Sequence, residues 1–464
     1  MPDRIRPADP GQLALQLPAA LPALPLAPEW KAQPRLWGPT LHPMCSYLAS
    51  FPASLAHAFI ARYSRPGDVV LDPFSGRGTT PLQADAEGRI GVGNDLNPFA
   101  YLLTAAKVEP AVPAEARTRL AALRLGWSAD ADAWVRLGER VRAHPGHPSA
   151  RVPAAGSGEG GHAHVEPVPD EVALAFHPRT LGQLLFLRAS LHLDDHVDRF
   201  LAGALSGILH GKTPSYLSTL MPNTFSMAPR YVRDFARANA YEAPMRDAFD
   251  GLASKLDRLY RQPLPATRGL ALLGDARTAG RRARAALRAR GLPDRARLVI
   301  TSPPYLRVLK YGYYNWLRLW MLGESAQDVD AVLDDAHHQA PYLEFLREVL
   351  TDLRPALTDD AVVALVIGDV ETDRGKPLAG GVGLAERVWE AAAYPAGYRL
   401  AGVVRDDIAP GRKMTRMWGD EAGRATKTDR ILVLGAAEAG RRRALASAGT
   451  PIDWTWPPVH LRSI

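Results

Sequence analysis

Two consecutive prolines at the end of an apolar run give the sequence its clearest chemistry. Residues 298–301 are apolar or β-branched, and they lead into Ser302, Pro303, Pro304 and Tyr305. Prolines lack a backbone N–H and have a fixed φ, so we expect a strand that ends there in a rigid turn. The Ser302 hydroxyl and the Pro303 carbonyl are hydrogen-bond acceptors, and the Tyr305 ring is a stacking surface. This combination suits an exocyclic amino group on an aromatic ring.

A second chemical signal is a glycine-rich loop that follows the apolar run at residues 69–71. The loop and the start of the next element read Asp72, Pro73, Phe74, Ser75, Gly76, Arg77, Gly78, Thr79 and Thr80. The two glycines permit a tight turn close to a ligand, and a helix starting there offers free N–H groups to a carboxylate or phosphate. A dinucleotide-binding loop would have a third glycine where this chain has Pro81, so the pattern disfavours NAD and FAD.

Both motifs resemble those of S-adenosylmethionine-dependent DNA amino-methyltransferases, which methylate cytosine N4 or adenine N6. The turn is similar to the family's Ser-Pro-Pro-Tyr signature, and the loop is similar to its Asp-Pro-Phe-x-Gly-x-Gly-Thr-Thr motif. The resemblance implies S-adenosyl-L-methionine as the cofactor. It assigns catalysis to Ser302, Pro303, Pro304 and Tyr305, and cofactor binding to Asp72, Phe74, Gly76, Gly78, Thr79 and Thr80. Ser302 favours cytosine N4, because the related adenine enzymes usually carry Asp or Asn at that position.

Two more acidic residues follow strand-like segments. Asp95 ends the run at residues 90–93 and lies about 20 residues after Asp72, where doubly wound sheets place an acid that binds ribose hydroxyls. Asp275 follows the run at residues 269–273, and related enzymes use an acid there to bind the adenine amino group. We therefore predict that Asp95 and Asp275 complete the cofactor site.

Strands alternate with helices along most of the chain, which predicts an α/β Rossmann-like, doubly wound mixed sheet. The resemblance covers residues 41–107 and 269–434 and implies a class I methyltransferase fold with a largely helical insertion. The expected divisions are an irregular N-terminal arm at 1–40, a cofactor-binding half at 41–109, an insertion for target recognition at 110–265, a catalytic half at 266–440 and a C-terminal tail at 441–464.

The order of the two motifs is unusual for the largest group that carries Ser-Pro-Pro-Tyr. In that group the tetrapeptide precedes the glycine loop, whereas in this chain the loop comes first. The order is closer to a different permutation group, so it leaves open which segment recognises the target.

The charge balance indicates a polyanionic partner. Lys and Arg number 56 against 49 acidic residues, a net charge of +7. A basic segment between the last two expected strands combines cations with an aromatic ring, and we predict nucleic-acid contacts from Arg412, Lys413, Arg416 and Trp418. Eight arginines between 277 and 297 fit a solvated helix face or further phosphate contacts. The implied partners are double-stranded DNA and a cognate restriction endonuclease in the same cell.

Composition disfavours several other classes. One cysteine, Cys45, rules out an internal disulfide and does not match the Pro-Cys nucleophile of cytosine-C5 enzymes. His162 and His164 lack an acidic or thiol partner at fixed spacing, so no metal is expected. No run of about 18 apolar residues exists, and we expect a cytoplasmic protein without a membrane span.

The sequence thus predicts a site-specific enzyme that methylates the N4 amine of a flipped cytosine in duplex DNA. An RNA amino-methyltransferase shares every motif, and adenine N6 also remains open as the target. A protein amide methyltransferase, which usually has Asn before Pro-Pro-Tyr, and a DNA-binding protein without catalysis are further alternatives. Oligomeric state remains open as well.

Overall fold

A computed structural model describes residues 21–144, 147, 152–156, 165–211, 213–218, 228–304, 310–333, 338–368, 372–373, 376–377, 383–407 and 428–456. Its strands are β1 (Val69–Asp72), β2 (Ile90–Asp95), β3 (Val152–Pro153), β4 (Val165–Glu166), β5 (Leu270–Leu273), β6 (Ala296–Thr301), β7 (Leu357–Gly368), β8 (Thr372–Asp373), β9 (Lys376–Pro377), β10 (Arg399–Asp407) and β11 (Thr428–Gly435).

The first ten α-helices are α1 (Ala53–Tyr63), α2 (Thr79–Ala86), α3 (Pro98–Val108), α4 (Pro113–Ala129), α5 (Ala131–Ala143), α6 (Asp170–Ala175), α7 (Pro178–Ser190), α8 (His196–Ser206), α9 (Pro229–Ala238) and α10 (Ala248–Leu259). The remaining ones are α11 (Ala279–Ala289), α12 (Tyr311–Tyr314), α13 (Trp316–Leu322), α14 (Ala326–Val332), α15 (Gln339–Leu353), α16 (Leu384–Val388) and α17 (Glu438–Ser447). Helices α3, α4, α7 and α9 begin with proline, whose fixed φ and missing N–H suit a first helical position.

Seven strands form one mixed sheet in the order β10-β11-β7-β6-β1-β2-β5. Strand pairs β6/β7, β1/β6, β1/β2 and β2/β5 are parallel, while β11 is antiparallel to both of its neighbours. The chain builds outward from β1 to β5 and then returns to the other side of β1 at β6. The predicted doubly wound α/β sheet is confirmed, and its order reverses between β1 and β6, where such sheets open a ligand crevice.

Side chains from alternate strand positions fill a core on each face of the sheet. Leu71 and Val299 belong to one buried cluster, and Val70 and Leu298 belong to the other. Neighbouring residues of a strand point to opposite faces, and helices cover both faces, so the strands are apolar at nearly every position.

The segment between α3 and β5 is mainly helical and includes α4 to α10. These helices share a third core with α3, α13 and residues 41–45. Gly207, just after α8, leaves no room for a Cβ beside the Met44 carbonyl. The insertion therefore packs directly against elements that carry the glycine loop.

The described part of the N-terminal arm lies along the edge of the sheet. Leu24 N donates to Val403 O of β10 at 2.9 Å, and Val403 N donates to Pro22 O at 2.9 Å. Residues near the two chain ends also meet, because Trp454 Nε1 donates to Glu29 Oε2 at 3.2 Å and its ring packs edge-on against Trp37. Helix α17 crosses the boundary expected at 440/441.

Within the described ranges, no helix is both long and apolar enough to cross a membrane. In the same ranges, no group of His, Cys, Asp and Glu side chains is arranged to hold a metal ion. His162 and His164 lie outside the residues that the structure describes.

Candidate functional site

The carboxyl ends of β1, β2, β5 and β6 lie at one edge of the sheet, because these strands are parallel. Asp72 ends β1, Asp95 ends β2, and Ser302 follows β6. Asp275 comes two residues after β5, whose last residue, Leu273, pairs with Asp95. The topology therefore gathers most of the predicted site residues at the crevice.

The glycine loop connects β1 to α2 and uses two left-handed residues, Gly76 at φ +52° and Gly78 at φ +75°. A Cβ at Gly78 would lie 2.9 Å from Thr104 Cα on α3, so both space and backbone conformation require glycine there. Ser75 fixes the other side of the loop, since its N–H donates to Asn94 O at 2.9 Å. The loop is held tightly between α3 and the end of β2.

Asp95 accepts two backbone hydrogen bonds at the end of β2. Gly76 N donates to its Oδ2 at 2.8 Å, and Asn97 N donates to its Oδ1 at 2.9 Å. Burial raises the pKa of Asp95 to about 6, although these N–H donors oppose the rise. The residue keeps partial solvent contact. Each oxygen also keeps a lone pair, so the carboxylate can accept further donors while it holds the loop.

Asp275 is in a different environment. Its carboxylate accepts from Arg277 N at 2.8 Å and forms an ion pair with the Arg277 guanidinium, and about a third of its side chain is exposed (34%). Burial acts to raise the pKa of Asp275, but the hydrogen bonds and charge of Arg277 outweigh it, and the pKa lies below its ordinary value. The acid is near the predicted site but is already paired.

The Ser-Pro-Pro turn begins where β6 ends. Ser302 Oγ donates its hydrogen to the carbonyl of Val366 in β7 at 3.2 Å. A carbonyl can only accept, so the direction of this bond is fixed and the Ser302 oxygen is left with lone pairs alone. The Ser302 oxygen can therefore accept a hydrogen bond, and its contact with a target amine stays a prediction. Tyr305 lies outside the described residues.

Asp72 points inward, toward β6. Its Oδ1 accepts from Thr301 Oγ1 at 2.6 Å and from Phe74 N at 3.1 Å, and the residue is buried. Burial raises the pKa of Asp72 to about 7, while the Thr301 and Phe74 donors lower it. Direct contact between Asp72 and a cofactor stays a prediction, and the structure shows the carboxylate joining the loop to β6.

Phe74, Thr79 and Thr80, the other predicted cofactor residues of the loop, make contacts within the loop and with neighbouring elements. Thr80 Oγ1 donates to Ile300 O at 3.1 Å, and Thr79 Oγ1 accepts from Arg77 Nε at 3.1 Å. The Phe74 ring is half-buried against the Phe345 ring, with 5.8 Å between centroids. These contacts position the loop and the first turn of α2.

Tyr47 is a site residue that the sequence motifs do not identify. Its hydroxyl accepts from Asn97 Nδ2 at 3.2 Å, and its ring would lie 3.6 Å from a Cβ at Gly76. It stacks on Tyr311 of α12 with 6.1 Å between ring centroids. Burial, and then the charge of Asp95, raise the pKa of Tyr47 well above its ordinary value. Tyr47 therefore covers the glycine loop as a neutral phenol.

Lys107 is a second unpredicted residue, buried at the end of α3. Its Nζ donates to Arg77 O at 2.5 Å and to His42 O at 3.4 Å. Burial, and then the charge of Arg77, lower the pKa of Lys107 well below its ordinary value. The sequence around Lys107 contains no pattern that indicates this role. Lys107 ties the carbonyl between the two loop glycines to the segment in front of α1.

The arginines at 277–297 are largely matched with acids. The ion pairs are Arg277–Asp275, Arg281–Asp352, Arg284–Asp294, Arg288–Asp294, Arg290–Glu109 and Arg297–Asp360. This pairing favours the solvated-face interpretation of the run over phosphate contacts. Arg412, Lys413, Arg416 and Trp418 lie outside the described residues.

Comparison with known proteins gives matches to the region that contains the glycine loop. Residues 31–106 match the model of a DNA methylase family. The type II methyltransferase M.MjaII of Methanocaldococcus jannaschii is 33% identical over 69 residues, which are 15% of this chain and 13% of that protein. M.Cfr9I of Citrobacter freundii is 39% identical over 64 residues, 14% of this chain and 21% of that protein. These matches confirm the resemblance to DNA amino-methyltransferases, and the chain spans less than a quarter of either relative.

One solved structure that matches weakly is the rRNA methyltransferase AviRa of Streptomyces viridochromogenes. It is 13% identical, and the alignment covers 86% of this chain and 88% of that one with a TM-score of 0.31. A score this low supports no conclusion about this chain. The fold is defined by the sheet order, and the resemblance to DNA methylases by the family match.

Proposed function

We propose that this chain, whose residues 31–106 match a DNA methylase family, transfers a methyl group from S-adenosylmethionine to an exocyclic amine of a DNA base. The observation that carries the proposal is the meeting of the glycine loop, Asp95 and the Ser302 turn at one edge, across the crevice between β1 and β6. We further propose cytosine N4 as the target, with adenine N6 as the second candidate.

The residues at this edge fit that cofactor. Asp95 keeps acceptor lone pairs for two ribose hydroxyls, and Leu273 beside it is an exposed apolar surface (45%) that suits a purine ring. Among the described residues, a Cβ at Gly76 would have only Tyr47 within 4 Å, at 3.6 Å, so the phenol ring is the group that borders this part of the loop. When bound, S-adenosylmethionine supplies an electrophilic methyl group on a sulfonium. We propose Asp95, Asp275 and the Gly76–Gly78 backbone as the groups that hold it.

Ser302 and the Pro303 carbonyl would act on the target amine. The lone pair of an exocyclic amine is delocalised into its ring, which makes the nitrogen a poor nucleophile. Two acceptors for the amine hydrogens favour a pyramidal nitrogen whose lone pair is free to attack. Because Ser302 already donates its own hydrogen to Val366, it meets the amine as an acceptor. In this proposal Tyr305 stacks on the base after it leaves the helix.

Duplex DNA is the proposed substrate, and Arg412, Lys413, Arg416 and Trp418 are the proposed phosphate and base contacts. The helical insertion packs against the elements that carry the glycine loop, so it is well placed for target recognition. The type II names of the relatives favour a partner restriction endonuclease, which stays a proposal for this chain.

The direct test is nucleoside mass spectrometry after the protein acts on unmodified bacterial genomic DNA with isotopically labelled cofactor. We expect the label in N4-methylcytosine. Label in N6-methyladenine would overturn the base assignment and leave the reaction class intact. Label only in RNA or protein, when those are offered instead, would overturn the substrate class.

Replacing Ser302 by Ala should lower turnover strongly and cofactor affinity little, because the hydroxyl contacts the target amine in this proposal. The expected fall in kcat is about 100-fold, the size of one transition-state hydrogen bond. Ser447→Ala, at the end of α17, is the matched control and should leave kcat unchanged. An S302A protein with normal kcat would show that the hydroxyl is not an acceptor in the reaction.

A further inference from the structure

We propose that the Thr301 hydroxyl is a positioning group that transmits the state of the glycine loop to the Ser302 turn through Asp72. This inference rests on the proposed function, since it gives the loop and the turn their roles. It concerns a residue that no sequence motif singles out.

One oxygen atom joins the two halves of the site. Asp72 Oδ1 accepts from Phe74 N, near the start of the glycine loop, and from Oγ1 of Thr301, the residue before Ser302. The hydroxyl contact is the shorter, at 2.6 Å. Asp72 and Thr301 are both almost fully buried (2% and 1% exposed), so water cannot easily replace the Thr301 hydroxyl as a donor. A change in the loop that turns the Asp72 carboxylate must also move the Thr301 hydroxyl or break this bond.

The backbone around Thr301 makes this bond effective. Thr301 is the last residue of β6 and is β-branched, so its χ1 is restricted and its hydroxyl cannot swing away freely. The next residue, Ser302, is followed by two prolines. Because their φ is fixed, a displacement of Thr301 should also move the Ser302 hydroxyl and the Pro303 carbonyl. The link therefore acts on the acceptors of the turn and not only on the strand.

The turn has a separate anchor on its other side. Ser302 Oγ bonds to Val366 O of β7, and β6 separates that strand from β1 in the sheet. Thr80 Oγ1 reaches Ile300 O, but this bond holds the strand one residue earlier. Loss of the Thr301 hydroxyl should therefore remove the direct link from Asp72 to the residue beside the turn, while the Thr80 bond and the β7 anchor keep the strand end folded.

Three substitutions at Thr301 grade the strength of this donor. Thr301→Ser keeps the hydroxyl, Thr301→Cys leaves a weak S–H donor, and Thr301→Val keeps the shape without a donor. Thr351→Val is the matched control, because its hydroxyl donates to Arg347 O within α15 and lies away from the glycine loop in sequence. If the valine protein does not fold, the cysteine protein supplies the comparison.

The first readout is amide hydrogen exchange in the peptide covering residues 298–304, without ligand and with saturating S-adenosylhomocysteine. Without ligand, exchange at the strand end should be about 3-fold or more faster in T301V than in T301S, because local opening costs less. Adding S-adenosylhomocysteine should slow this exchange in wild type, T301S and T351V, but not in T301V. Its affinity, measured by calorimetry, should stay within about 3-fold across the series.

The second readout is the single-turnover methylation rate on unmodified genomic DNA, which should fall about 10- to 100-fold in T301V and recover in T301S. Equal exchange in T301V and T301S, with or without ligand, would overturn the coupling while leaving the proposed function intact. Failure of wild type to bind S-adenosylhomocysteine would overturn the proposed function. In that case the exchange rates of T301V and T301S without ligand would decide. Faster exchange in T301V would support the link between Asp72 and the turn, and equal exchange would overturn it.

Discussion

Asp95 and Asp275 occupy equivalent places, at or just after the ends of neighbouring strands, yet their surroundings differ. Asp95 is held by backbone N–H groups of two loops, and its pKa is raised to about 6. Asp275 is about a third exposed and is paired with the flexible side chain of Arg277, which lowers its pKa. The sequence motif gives the two acids similar roles, whereas the structure distinguishes them.

The difference shows what each acid can contribute to binding. Backbone donors fix the direction of the Asp95 lone pairs, and partial desolvation strengthens any hydrogen bond that it accepts. Asp275 would have to share its charge between a ligand and Arg277 in a more solvated place. We therefore expect cofactor affinity to depend far more on Asp95.

The largest expected effect is that of Asp95→Ala on cofactor affinity. Loss of a charged acceptor costs about 1.5–3 kcal/mol, or roughly a 10- to 150-fold weaker Kd. Calorimetry with S-adenosylhomocysteine measures it directly, and a melting curve controls for loosening of the loop that Gly76 N anchors. An unchanged Kd would remove Asp95 from the cofactor site.

The next effect is a pH dependence of the same binding. A ribose hydroxyl donates to the ionised form of Asp95, so binding should release a proton near pH 6 and weaken as the pH falls below about 6. Asp72 titrates in a similar range, with a pKa of about 7, so the informative quantity is the difference between wild type and Asp95→Asn. Identical pH profiles for the two proteins would contradict this assignment.

The raised pKa of Asp95 also affects the folding stability of the free protein, with a pH dependence opposite to that of cofactor binding. Because the folded-state pKa of Asp95 is raised, the folded chain holds a proton that the unfolded chain has lost between about pH 4 and pH 6. The contribution of Asp95 to stability is therefore greatest at low pH and declines as the pH rises through 6. Cofactor binding and folding should thus respond to pH in opposite directions.

The smallest expected effect is that of Asp275→Ala. An exposed acid that already has a partner contributes about 0–1 kcal/mol, so the Kd should rise by no more than about 5-fold. This variant is the matched comparison for Asp95→Ala at the neighbouring strand end. A loss as large as that of Asp95→Ala would show that the pair with Arg277 opens to bind the ligand.

Local sequence patterns predict the sheet and the outline of the site. The apolar runs that end in Asp72, Asp95 and Thr301 form strands that are buried at nearly every position, and parallel strands bring those ends together. Positive φ at Gly76 and Gly78 follows from the glycine motif in the same way. These strands and the glycine loop can therefore be predicted from short, continuous stretches of sequence.

Side-chain partners far apart in sequence could not be predicted. Asp72 turns toward Thr301, and Lys107 reaches Arg77 O, because burial forces each polar group to find a partner in the packed structure. Arg290 likewise pairs with Glu109 across the start of the insertion. Composition shows that such charges exist but does not show which of them meet.

The contact between Trp454 and Glu29 bears on why the two motifs occur in this order. Segments near the two ends of the described chain lie against each other, so a short connection there would close the backbone into a ring. A cut within residues 110–265 would then place the Ser302 turn before the glycine loop while every strand kept its neighbours. A turn-first version of this chain would therefore keep the spatial arrangement of the glycine loop and the Ser302 turn at the sheet edge.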